Sequence, residues 1–300
     1  MDSPGFPMNI CLILNPKAGH LRRNPGVIRE VQKFAAERGG RVAFQMTTGA
    51  GHAVRLAAAA AEEGCDLVVA VGGDGTMNEV ARGLFGTAAA LGLVPCGSGN
   101  GLARHLGIPL RPADALRLLE QGPRVAIDVG RANGHPFLCA AGVGFEVHIA
   151  ALFNRRQRRG FFSYVATSLR EWRAYIPASY RIAGPELEPF ERTAFTVAVA
   201  NAAQYGNGAR IAPTARIDDG RLDLVAIPPV RWSNALPLLI RLFRGRLLQD
   251  RGVRHVSGPR FELSGPAALA FHTDGEVHSP ASRVEFTVEP RCLRVVVPTA

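Results

Sequence analysis

Hydrophobic spacing divides the chain into two textures. Between Asn9 and about Val129, apolar runs at Ile10–Leu14, Val42–Phe44, Leu67–Val71 and Leu91–Val94 alternate with stretches in which apolar residues recur every three to four positions. Strands buried on both faces read as unbroken apolar runs, and helices between them supply the crossovers, so this half predicts βαβα units around a parallel sheet. Helices are expected over Pro25–Arg38, His52–Glu63, Met77–Leu84 and Pro112–Gln121, with Gly39, Gly64 and Gly122 as stop signals.

After Asp128 the pattern changes to strands separated by turns. Asn133-Gly134, between Val125–Asp128 and Phe137–Ala141, is a strong two-residue hairpin signature. Apolar or alternating runs recur at Phe195–Ala200, Leu222–Ile227, Ala268–Phe271, Val284–Val288 and Leu293–Val297, with helical segments near His148–Tyr175 and over Trp232–Phe243. The expected fold class is α/β plus all-β: a Rossmann-like parallel-sheet domain over residues 1–128, which the C-terminal strand 289–300 is placed to complete, and a β-sandwich or barrel-like domain over 129–288. With 300 residues, 47% of them hydrophobic, there is enough apolar surface for two cores.

Composition changes this picture little. No stretch approaches the roughly 18 uninterrupted apolar residues of a membrane span, and the first residues lack the charged start and cleavage site of a signal peptide, so a soluble cytoplasmic protein is expected. The five cysteines are odd in number and widely spaced, which suits reduced thiols better than disulfides or a zinc site. A formal charge of +10 points to phosphate groups, whether on a nucleotide, a nucleic acid or an anionic lipid, without choosing among them.

The candidate chemistry lies where predicted strands end. Leu67–Val71 runs into Gly72-Gly73-Asp74-Gly75-Thr76, followed by Met77-Asn78-Glu79 at a helix start. Glycines let backbone approach a polyphosphate closely, and the helix start behind them offers unpaired N–H groups. Asp74 is placed to hold Mg²⁺ or to take a proton from an attacking hydroxyl. Read alone, the same residues also fit a plain strand-to-helix turn with Asp74 and Thr76 as caps. One strand later, Pro95-Cys96-Gly97-Ser98-Gly99-Asn100 repeats the theme, with Ser98 and Asn100 as hydrogen-bond donors to phosphate, and Asn15-Pro16-Lys17-Ala18-Gly19 forms a third loop in which Lys17 supplies a cation.

In their order and spacing, NPKAG, GGDGTMNEV and PCGSGNGLARHLGIP resemble the diacylglycerol kinase catalytic domain family, which takes in soluble bacterial lipid kinases and the sphingosine and ceramide kinases. The resemblance extends through Ile217–Asp223 and Thr273-Asp274-Gly275-Glu276. It implies ATP and Mg²⁺ as cofactors and an alcohol on a lipid as acceptor. It implies nucleotide contacts from Thr47, from Gly72, Gly73, Asp74, Gly75, Thr76 and Asn78 with neighbouring Glu79, and from Ser98 beside Gly97 and Asn100; Asn15 and Lys17 belong to the same set. Asp74 would sit at magnesium; Glu276 would be the base, with Asp274 beside it, although in sphingosine kinases the residue matching Asp74 has been given that role. Asp219 and the carbonyls of Arg216 and Arg221 would form a magnesium site. Gly101 stands where many bacterial members carry an aspartate, so the acceptor, diacylglycerol-like or sphingoid, stays open.

A lipid kinase without a span needs an interfacial face. Asn154–Phe162, with Arg155, Arg156, Arg158 and Arg159, and Leu238–Leu248, mixing leucines with arginines, are the candidates for contact with anionic lipid at the inner face of a membrane. Each also fits a solvated basic face. No nucleic-acid module accompanies them, and a homodimer remains open. A kinase of a soluble substrate such as NAD, whose family shares GGDGT, and a non-catalytic nucleotide or lipid sensor are the competing readings.

Overall fold

A computed structural model describes residues 9–19, 21, 26–37, 41–154 and 167–299. The chain forms two compact units: residues 1–127 with 291–300, and residues 128–290.

In the first unit, β1 (Ile10–Leu14), β2 (Val42–Met46), β3 (Leu67–Gly72) and β4 (Ala90–Pro95) are joined by α1 (Gly26–Ala36), α2 (His52–Glu62) and α3 (Asp74–Leu84), followed by α4 (Gly101–His105) and α5 (Pro112–Gln121). The strands pair in parallel in the order β2-β1-β3-β4, and the far end of β14 (Glu276–Val296) adds a fifth, with Arg294 and Val295 opposite Ala90 and Leu91. Every residue of β1, β3 and β4 is buried, as expected for strands covered on both faces. Small residues let the helices close over the sheet: a Cβ on Gly83 of α3 would lie 2.5 Å from the Val54 carbonyl oxygen and 2.7 Å from Ala57 Cβ of α2. The alanine-rich run 57–61 thus gives α3 a close approach as well as helix propensity.

The second unit contains β5 (Arg124–Ala132), β6 (His135–Phe137), β7 (Ala140–Gly144), α6 (Phe145–Asn154), β8 (Ala178–Gly184), β9 (Leu187–Ala194), β10 (Thr196–Ala200), β11 (Leu222–Ile227), α7 (Trp232–Phe243), β12 (Arg254–Gly258) and β13 (Arg260–Thr273), with the first part of β14. Its antiparallel path runs β12-β11-β10-β7-β13-β14, and the β8–β9 hairpin joins through β13. Period-two alternation sorts the side chains. Val197, Val199, Leu222 and Leu224 enter one core with Phe137, Phe261 and Phe286, whereas Ala198, Ala200 and Val225 face a second cluster under Leu238 of α7. Asn133 and Gly134, at φ 45° and 82°, form the expected hairpin tip between β5 and β6.

Several boundaries differ from the sequence expectation for identifiable reasons. Helix α3 begins at Asp74, three residues before the expected Met77, so Gly75 lies within its first turn. The expected strands at Val284–Val288 and Leu293–Val297 are parts of one 21-residue strand. The five cysteines are free. The arginine-rich segment 155–159 lies outside the described residues.

Candidate active site

Because β1, β3 and β4 run parallel with Leu14 opposite Val71 and Gly72 opposite Pro95, all three expected loops leave the same sheet edge. The loops interlock there. Asn15 Nδ2 donates to Thr76 Oγ1 at 2.9 Å, and its Oδ1 accepts the Lys17 N–H at 3.0 Å. A Cβ on Gly72 would sit 2.6 Å from Thr76 Cβ, and one on Gly97 would sit 2.6 Å from Gly73 Cα, so glycines 72 and 97 are required by close approach alone. Thr47 is held at the tip of the neighbouring strand by its N–H to the Leu14 carbonyl, 2.9 Å.

Asp74 joins the first glycine loop to the second. Its Oδ2 accepts the Asn100 N–H at 2.8 Å and its Oδ1 the Gly101 N–H at 2.6 Å, so the carboxylate satisfies amides at the start of α4 while remaining exposed. Asp74 therefore does not cap its own helix, as the plain-turn alternative had it, since Gly73 is that N-cap and no side chain caps it; its carboxylate serves the next helix. Its oxygens keep further lone pairs for a cation. The first intrahelical bond of α3 is Met77 N–H to the Gly73 carbonyl, 3.0 Å, so the amides of Asp74, Gly75 and Thr76 precede it, the arrangement that favours an anion.

The other expected nucleotide contacts fall into two groups. Lys17, Gly75 and Ser98 are exposed on these turns. Asn100, by contrast, is buried at φ 50°, and its amide is engaged at both ends by Gly97, accepting from N–H and donating to the carbonyl at 3.0 Å each. It shapes the loop that presents Ser98. Glu79 turns away from the loops: its Oε2 accepts the Ala53 N–H at 3.1 Å, capping α2, whose own N-cap, Gly51, has no side chain to do so. Asn78 lies between them on α3.

In the second unit, Thr273 pairs with Glu276 across a turn whose central residues, Asp274 and Gly275, have φ of 47° and 86°. Glu276 is exposed at the first position of β14. Asp274 is anchored: Oδ2 accepts the Leu138 N–H at 2.7 Å, and Oδ1 accepts those of Cys139 and Ala140 at 2.9 and 3.0 Å. Burial pushes its carboxyl above the usual range, opposed by these three N–H groups and by His272. Sequence reading missed Asn201, whose buried Nδ2 donates to the carbonyls of Asp128 and Leu138 at 2.9 Å each and so supports the amides that hold Asp274. An asparagine closing the apolar run Thr196–Ala200 was the available signal.

Among the described residues no group of three or more His, Cys, Asp or Glu side chains converges to hold a metal ion. At the expected magnesium site, Asp219 is exposed and its Oδ1 accepts the Arg221 N–H at 3.0 Å. Burial first, then the neighbouring charges of Asp223, Asp128 and Asp218, push its carboxyl up against the Arg221 hydrogen bond. The Asp219 carboxylate thus lies in a negative field, which suits a hard cation.

Residues 9–132 match the family described as diacylglycerol kinase catalytic domain, and residues 139–297 match the family described as YegS C-terminal NAD kinase beta sandwich-like domain. A Chromohalobacter salexigens protein named "Probable lipid kinase YegS-like" is 34% identical over 88% of this chain and 86% of its own length. A protein of the same name from Pseudomonas aeruginosa is 34% identical over 90% of this chain and 89% of its own. A solved Bacillus anthracis structure, described as a diacylglycerol kinase, shares the fold at TM-score 0.73 and 21% identity, covering 96% of each chain.

Proposed function

Because this chain belongs to the diacylglycerol kinase catalytic domain family, with the C-terminal domain of its YegS branch, we propose that it is an ATP-dependent lipid kinase that phosphorylates a lipid hydroxyl. The observation that carries the nucleotide half is the interlock of three turns at one sheet edge, with glycines packed backbone to backbone and helix-start amides behind them.

Phosphoryl transfer asks little covalent chemistry of a protein; it asks that the γ-phosphate be held in line and its charge neutralised. In this reading the amides of Asp74, Gly75 and Thr76 cradle phosphate oxygens, Lys17 adds a cation, and Ser98 donates from the second turn. Glu276 accepts the proton of the lipid hydroxyl, and Asp274 holds the turn that carries it. Mg²⁺ would be held by Asp74 at the nucleotide and by Asp219 with the carbonyls of Arg216 and Arg221 in the second unit; when bound it offsets phosphate charge.

The lipid is met at a membrane surface, peripherally, through α7. No helix among the described residues is long and apolar enough to cross a bilayer. Yet α7 buries only Leu238, while Trp232 is 72% exposed and Leu236, Leu239, Ile240 and Phe243 are also exposed. Arg244 and Arg246, both exposed, follow it and match an anionic surface; Arg241 is partly neutralised by its ion pair with Asp250.

The test is thin-layer separation of products after incubation with radiolabelled ATP, Mg²⁺ and a panel of diacylglycerol, sphingoid bases, ceramide, phosphatidylglycerol and, as the soluble control, NAD. Label in a lipid spot, reduced by roughly a hundredfold or more in Asp74→Asn and Glu276→Gln, is the expected outcome. Label on NAD alone sinks the proposal. For the membrane face, Leu236→Gln with Phe243→Gln should abolish sedimentation with phosphatidylglycerol vesicles; unchanged sedimentation removes α7 from the interface.

A further inference from the structure

The turn that carries Glu276 is tied from below at both of its central residues. Asp274 is held by the amides of 138–140, as described. Gly275 is held differently: its N–H is directed at Nδ1 of His272, 3.3 Å away. An accepting Nδ1 places the ring proton of the neutral imidazole on Nε2, and Nε2 faces Glu146 Oε2 at 2.9 Å. Glu146, in the first turn of α6, is fixed in turn: Tyr205 OH donates to its Oε1 at 2.6 Å and Thr196 Oγ1 lies 3.0 Å from the same oxygen. The pair is buried, with side-chain exposures of 7% for His272 and 14% for Glu146. Gly142 is the residue opposite His272 on β7, and a Cβ there would lie 2.7 Å from the Val197 carbonyl oxygen and 3.2 Å from Ala198 Cα, so the glycine serves the close approach of β10.

None of these groups takes part in the transfer scheme above, and a carboxylate–imidazole pair aimed at one backbone amide of a two-residue turn is more than packing requires. We propose that Glu146 and His272 are a positioning pair for the reaction: Glu146 sets the tautomer and plane of His272, His272 holds the Gly275 N–H, and the turn therefore presents Glu276 in a single conformation. This rests on Glu276 being the proton acceptor. Displacement of a reacting group by about 1 Å can cost about a hundredfold in rate, so losing the tie should appear in kcat rather than in substrate binding.

The experiment compares steady-state kinetics, with the acceptor lipid in mixed micelles, for His272→Ala, His272→Asn and Glu146→Gln against Glu276→Gln. Melting temperature and hydrogen exchange of the Gly275 amide are followed by NMR in the same proteins. His272→Ala is expected to lower kcat roughly 10- to 100-fold with the KM for ATP changed less than about threefold, and to speed Gly275 exchange. His272→Asn, whose amide oxygen occupies the place of Nδ1, should recover at least about tenfold of that loss. Wild-type kcat in His272→Ala while Glu276→Gln is inactive overturns the positioning pair and leaves the proton acceptor standing. Equal losses in the Ala and Asn variants with unchanged Gly275 exchange also overturn it. Full activity in Glu276→Gln overturns the proton-acceptor assignment and removes what the pair would position. Should His272→Ala fail to fold, wild-type kcat and Gly275 exchange in folded His272→Asn and Glu146→Gln are the overturning result.

Discussion

Gly75 separates what the fold needs from what a nucleotide needs. It lies in the first turn of α3, is exposed, and a Cβ built there meets nothing within 4 Å. Its φ is not positive, so alanine fits the backbone. On structural grounds Gly75→Ala should stabilise the protein by about 0.5–1 kcal/mol, because alanine is the better helix former and restricts the unfolded chain. For a protein of this size that is roughly 1–4 °C in melting temperature. If triphosphate oxygens lie on the amides of Asp74 to Thr76, the added methyl occupies their space. Overpacking at a close contact costs about 1–3 kcal/mol, which is roughly 5- to 160-fold in affinity. The assay is thermal melting without ligand, paired with calorimetric titration of Mg·ATP. A variant that melts higher and binds ATP more weakly supports the nucleotide reading. One that melts higher and binds ATP as tightly as wild type refutes it, because the empty space at Gly75 then serves no phosphate.

Gly97→Ala should behave in the opposite way, lowering melting temperature as well as activity, since its Cβ meets Gly73 Cα at 2.6 Å and Asn100 Oδ1 at 2.8 Å; an unchanged melt contradicts the interlock. Glu79→Ala should cost about 1 kcal/mol through loss of the cap on α2, Glu79→Gln should restore it, and neither should weaken ATP titration; a calorimetric loss in both would return Glu79 to the nucleotide site. Burial pushes the thiols of Cys11 and Cys96 up to about 12 from an ordinary value near 9. Their stabilising effect is full below pH 9 and is lost as pH rises from about 9 to about 12, because the unfolded chain releases the protons first. Chemical denaturation should show the decline in that window and a smaller one in Cys96→Ala; a flat profile contradicts it.

Much of the architecture was legible because it is written in local pattern. The unbroken apolar runs of β1, β3 and β4, the Asn133-Gly134 turn and the helix Trp232–Phe243 each announce themselves within a dozen residues. The strand β14 was not, because Pro290 and Arg291, the latter at φ 53°, interrupt its alternation and split it into two apparent strands. The β8–β9 hairpin carries too many charges to stand out. At the candidate site, residue types and glycine spacing were readable, but partners were not. Asp74 reaches amides 26 and 27 residues away, Asp274 reaches amides 134 to 136 residues away, and Glu79 caps a helix that precedes it by 26. Such pairings are set by which strands lie side by side, and no local pattern carries that.

Strand β14 also has a bearing on how the protein is made. Residues 294 and 295 supply the hydrogen-bonding neighbour of β4, so the sheet that bears the glycine turns waits, during synthesis, for residues translated some two hundred positions after it. Until they arrive, β4 is a bare apolar edge of the kind that recruits other chains. Truncation a few residues before position 294 would therefore be felt first in the N-terminal half, as aggregation of nascent protein rather than as damage to the second unit, whose strands are already complete.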